Sequence, residues 1–76
     1  MLIMVREKYS YYEFSVKEVS MENGCGYVYE IYTDDPDYKF FMKTEVLRES
    51  DEWFESKNEA RFAAIGHISL LENGEG

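Results

Sequence analysis

The residues able to do chemistry are few. His67 is the only histidine and Cys25 the only cysteine, so an imidazole base or a thiol nucleophile would have to be one of them. His67 falls on an apolar stripe of a helical segment, and no Ser or Cys is placed to act with it as a nucleophile. It reads as a hydrogen-bonded core or edge histidine. Cys25 lies between Gly24 and Gly26 with no neighbouring Lys, Arg or His to lower its pKa, which reads as a hairpin residue rather than a reactive thiol.

Carboxylates offer more. Asp34, Asp35 and Asp37 supply oxygen ligands of the kind a hard cation takes. A calcium loop, however, also needs acids or amides at regular spacing, a Gly for the bend and a distal bidentate Glu, and that pattern is missing. Turn chemistry around Pro36 accounts for the run. Glu49, Asp51, Glu52 and Glu55 place four acids just before a helical segment, where some suit the positive end of the helix and the rest suit a solvated loop. No glycine-rich phosphate loop, Cys/His metal spacing or basic aromatic stripe is present. The expectation is therefore no catalytic residue, no metal site and no cofactor.

The elements that would position these residues are legible in part. Tyr12-Glu13-Phe14-Ser15-Val16 alternates with period two, the mark of a half-buried strand with Tyr12, Phe14 and Val16 inward. Asn23-Gly24-Cys25-Gly26 carries residue types that accept positive φ in a hairpin. A second strand follows, with Tyr27, Tyr29 and Ile31 expected inward because that face lacks a charge. After the Asp34–Asp37 turn, Lys39 to Leu47 is expected to be a third strand with Phe40, Met42, Thr44 and Val46 buried and Phe41 and Leu47 outside. Trp53 and Phe54 should fold over the end of the core.

Ser56-Lys57-Asn58-Glu59 is a capping box and opens a helix that Asn73-Gly74 stops. At 100° per residue, Ala60, Ala64, His67, Ile68 and Leu71 share the sheet-facing stripe, with Ala63 and Leu70 on its flank. Phe62, Ile65, Gly66 and Ser69 fall on the other side. The expected fold is α+β: one domain over 1–76, with strands at 11–20, 26–33 and 38–47 in an antiparallel meander and a helix at 57–72 packed on one face. Residues 1–8 form a strand or arm, and the meander becomes four-stranded if residues 2–6 join it.

Seventy-six residues bury only about 60% of their unfolded surface, so the core is small. One cysteine precludes an intramolecular disulfide and makes the cytoplasm the default setting. The apolar run Leu2-Ile3-Met4-Val5 is too short for a signal-peptide core or a membrane span. The net charge is -8, and its distribution is uneven: residues 1–29 hold four acids and three bases, residues 30–76 twelve acids and five bases. Such a surface repels phosphate, which argues against direct nucleic-acid binding and against an acidic membrane.

Aromatics make up 17% of the chain, more than one helix and a small sheet can hide. Tyr11, Tyr32 and Phe41 on the outer sheet face, and Phe62, Ile65 and Gly66 on the outer helix face, are the expected apolar interface. In size, acidity and β-then-α order the chain resembles the small acidic proteins of phages and mobile elements, including anti-CRISPR and anti-restriction inhibitors, some of which mimic DNA with carboxylates. That resemblance implies a non-catalytic inhibitor meeting a basic protein surface, and it carries over no residue; the acids expected to meet the partner, read from this chain alone, are Asp34, Asp35, Asp37, Glu49, Asp51, Glu52 and Glu55. A homodimer through the helix face is expected as well. The alternative is an accessory homo-oligomeric module whose acidity serves solubility alone.

Overall fold

A computed structural model describes residues 6–75 of the chain. Its elements are β1 (Glu7–Tyr9), β2 (Tyr12–Met21), β3 (Gly24–Tyr32), α1 (Pro36–Met42), β4 (Val46–Glu49) and α2 (Lys57–Glu72). The four strands form an antiparallel meander in the order β1-β2-β3-β4, and α2 crosses one face. The α+β meander with a C-terminal helix is thus the observed architecture. Residues 2–5 of the expected first strand lie outside the described residues.

The β2-β3 hairpin is the backbone of the sheet. Met21 pairs with Gly24 across Glu22 and Asn23, and Gly24 takes φ +136, which a side chain would resist. Alternation then does what period two requires. Phe14, Tyr29 and Ile31 are buried on the α2 side and meet Ala64 and Ile68, while Tyr12, Val16, Phe54, Ala63 and Leu71 pack around them. The alanines let the helix sit close to the aromatic rings of the sheet, and Ala60 and Ala64 are fully buried.

Ser56 accepts from the amide of Glu59 and starts α2. At the other end Gly74 takes φ +76 and donates to the carbonyl of Leu71, while Glu75 donates to that of Leu70. Those two bonds close a Schellman stop. The helix therefore begins and ends where its caps require.

The third strand does not run from 38 to 47 as expected. Asp35 is an N-cap in extended conformation whose carboxylate accepts from the Asp37 amide, and Pro36 occupies the first helical turn, where its missing N-H costs nothing. Two turns later Lys43 adopts a left-handed conformation and closes α1. Only then does β4 join β3, with a register shift between Ile31 and Tyr32. Phe40 and Met42, expected in the core, are exposed instead.

The edge of β4 is partly closed by its own side chains. Thr33 donates to the Glu45 carbonyl, which makes Val46 and Tyr32 a non-hydrogen-bonded pair and points the polar groups of Val46 outward. There Thr44 Oγ1 accepts from the Val46 amide and the Tyr38 hydroxyl donates to its carbonyl, while Arg48 donates to the carbonyl of Leu47.

The second face of the sheet is polar but not open. Tyr32, expected in an exposed interface, is only 6% exposed. Its hydroxyl hydrogen-bonds the buried Ser15 at 2.7 Å, and the Arg6 guanidinium lies 3.8 Å from its ring centroid. Arg6 also pairs with Glu45 and Glu13, and Lys17 pairs with Glu30. A ring stacked beneath a cation and joined to a hydroxyl is a finished contact, which removes Tyr32 from the candidates for partner binding.

Candidate functional site

The histidine is engaged in structure. His67 Nδ1 lies 2.7 Å from the Tyr29 hydroxyl, with the two rings edge to face at 5.8 Å. Ser69, two residues on, donates to the Ile65 carbonyl of its own helix. Burial raises the pKa of Tyr29, and the nearby charges of Asp51 and Glu52 add to the shift. Cys25 is exposed, and its hydrogen bond to Glu18 also raises its pKa, the opposite of thiolate activation.

These shifts have a testable sign. A phenol whose folded pKa is raised contributes stability that is complete below its unfolded value of about 10 and is lost as pH climbs through the folded value. Lys17, raised mainly by its hydrogen bond to Glu30, acts in the same window. The melting temperature should therefore fall as pH rises beyond about 10. Tyr29→Phe should cost about 0.5–1.5 kcal/mol at neutral pH through the lost hydrogen bond and should flatten that alkaline decline. Thermal melts of both proteins between pH 7 and 11 read the difference, and parallel alkaline limbs would contradict it.

The carboxylates behave differently from the histidine. Asp34, Asp35 and Asp37 follow the end of β3. Glu49 ends β4 opposite Glu30, and the chain then stays beside β3, with Ser50 donating to the Tyr29 carbonyl and Phe54 bridging Tyr27. Glu49, Asp51, Glu52 and Glu55 thus belong to the segment that runs beside β3 from Glu30 back to Tyr27, whereas Asp34, Asp35 and Asp37 lie past the end of β3, in the turn and first turn of α1. Each is exposed. Among the described residues none of the seven is in an ion pair, whereas Glu7, Glu13, Glu30 and Glu45 are held by Arg61, Arg6 or Lys17.

An open groove of about 440 Å³ lies along the β4 edge, lined by Thr44, Val46, Leu47, Arg48, Glu49 and Asp51. Among the described residues no three His, Cys, Asp or Glu side chains come together to hold a metal ion. The Asp34–Asp37 run is a helix cap and turn. Glu45 belongs to a different class: its hydrogen bond to Arg6 holds its carboxyl below the usual carboxylate range.

The apolar candidates scatter. Tyr11 projects from the turn between β1 and β2, not from the outer sheet face. Phe41 is 75% exposed, but on α1 rather than on a strand. Phe62 is exposed on α2 as expected, and a Cβ placed on Gly66 would meet nothing within 4 Å. Ile65 is corrected: it is half-buried and packs against the core, because 100° steps bring it to the flank of the stripe through Ala64 and Ile68. Trp53 is half out, its ring resting near Gly26, while Phe54 stacks on Tyr29 at 6.2 Å.

Comparison with known proteins found no matching family model, no similar curated protein and no similar solved structure. Among the described residues no helix is long and apolar enough to cross a membrane.

The exposed apolar residues that the pattern of the sequence hid are Phe40 and Met42. Their signal was Asp35-Pro36, an N-cap followed by a proline at the first helical position, with Pro36 four residues ahead of Phe40.

Proposed function

We propose that this chain is a non-catalytic acidic interaction module, working in the cytoplasm, that binds a basic protein surface through the β4 edge. The reading follows the resemblance to the small inhibitor proteins of phages and mobile elements in size, acidity and element order. One observation carries it: Glu49, Asp51, Glu52 and Glu55 on the segment beside β3, and Asp34, Asp35 and Asp37 in the turn into α1, are all exposed and in no ion pair among the described residues. Seven exposed carboxylates outnumber the bases near them, and such an excess produces a local negative potential that steers a basic partner and repels nucleic acid and anionic membrane.

The test is affinity capture from lysate of the natural host, followed by quantitative binding of the captured protein. Neutralising Glu49, Asp51, Glu52 and Glu55 to the amides should weaken that binding at least tenfold, and raising the salt concentration should weaken the wild type toward the same level. Binding indifferent to both changes would defeat the reading.

The second reading is an accessory homo-oligomeric module whose acidity serves solubility. It is favoured by Phe62, 67% exposed one turn from the unoccupied space at Gly66, a surface against which a second α2 could lie. Light scattering separates the two: a dimer that Phe62→Glu converts to monomer supports the second reading, and a monomeric wild type at micromolar concentration removes it.

A further inference from the structure

α1 is built to be held, not to be buried. Asp35 and Pro36 start it, Lys43 closes it, and the Tyr38 hydroxyl ties it to the Val46 carbonyl of β4. None of its residues is buried, and Phe40, Phe41 and Met42 are 66%, 75% and 58% exposed. The two rings meet edge to face at 5.3 Å, and the Lys43 ammonium lies 4.8 Å from the Phe40 centroid, so the pair forms one knob with its own internal contacts. Taking about 200 Å² for each large side chain, the knob offers roughly 300–400 Å² of apolar surface, as much as the largest patch on many monomers.

From this we infer that α1 is the apolar anchor of the proposed interface, and that it inserts Phe40 and Phe41 into an apolar cleft whose rim is basic. The inference rests on the reading of a basic partner and names the contact that would hold it. Charge selects the occupant. Leaving aside Glu45, which Arg6 holds, the segment from Asp34 to Lys43 carries three acids and two bases, with Asp34, Asp35 and Asp37 standing immediately ahead of the knob and Lys43 engaged on the Phe40 ring. A cleft receiving α1 must meet those carboxylates at its rim, where Lys and Arg are favourable and acids are not.

A second copy fits poorly. A two-fold contact through α1 would set each acidic run against its mate, and the knob covers at most about half of the ~800 Å² per partner that a stable interface buries. The rest of the area must come from surface beside the knob, and that surface is the acidic edge.

The probe is a random peptide library displayed on phage and selected on the immobilised full-length chain. Enriched peptides are expected to combine large apolar residues with net positive charge. A synthetic winner should bind the Phe40→Ser/Phe41→Ser variant at least tenfold more weakly, with an unchanged circular dichroism spectrum because both rings are exposed. Winners lacking positive charge, or affinity unchanged by the double substitution, would overturn the inference. So would a concentration-dependent dimer, or binding to phosphatidylcholine or phosphatidylglycerol vesicles, that the same substitution abolishes.

The amide variants at Glu49, Asp51, Glu52 and Glu55 keep the two ideas apart. If those variants bind the peptide normally while the double Ser variant does not, the acidic-edge reading fails and the anchor stands. The reverse pattern removes the anchor and leaves the edge.

Discussion

Phe14→Ala is expected to remove about half or more of the stability of the fold. Phe14 is 1% exposed and sits between Tyr29, Ile31, Ala64 and Ile68, the residues that join sheet to helix. Truncating a buried Phe removes its transfer free energy and leaves a cavity, together costing about 3–5 kcal/mol. A domain of this length has roughly 4–10 kcal/mol in total. With no disulfide to constrain the unfolded chain, there is little to offset such a loss. Urea titration followed by circular dichroism should show the midpoint falling to about half its wild-type value or lower. A shift worth less than about 1 kcal/mol would mean that Phe14 is not at the centre of the core.

The second large effect concerns the seam between helix and sheet. Ala64→Leu adds three carbon atoms at a position with no exposed surface, directly against the sheet. Overpacking of this kind costs about 1–3 kcal/mol, because α2 must lift or its neighbours must leave their rotamers. Two residues further on, the opposite outcome is expected. Gly66→Ala places a methyl group where nothing lies within 4 Å and gains about 1 kcal/mol of helix propensity. Measured side by side by thermal melting, the pair should move in opposite directions. A destabilising Gly66→Ala would show that something occupies the space beside it in solution, as a second copy would.

What could be inferred from sequence divides along the lines of local and non-local signals. The capping box at Ser56 and the Gly74 stop are written in adjacent residues, and α2 spans the expected 57–72. The inward sets on β2 and β3 were legible because each strand has one uncharged face. Lys39 to Leu47 misled because its alternation of apolar residues is real but never used: the N-cap at Asp35 and Pro36 override it, and a two-turn helix carries its rings outward. Tyr32 was misplaced for another reason. No strand pattern reveals that Arg6, distant in sequence, will lie across its ring while Ser15 takes its hydroxyl. The acids were individually obvious in the sequence, but the position of Glu49, Asp51, Glu52 and Glu55 beside β3 depends on β4 pairing with β3 and on the following loop staying next to it.

The side-chain bonds along β4 also bear on how the protein survives at concentration. An edge strand with bare amides and carbonyls is a template for adding further strands, and that is how sheets grow into fibres. Here an incoming strand would have to displace Thr44 and Tyr38 from Val46 and Arg48 from Leu47 before it could pair. The acids that follow would repel an identical chain making the attempt. A rim so arranged can receive a partner's side chains while refusing its backbone, and the sheet does not grow from that edge.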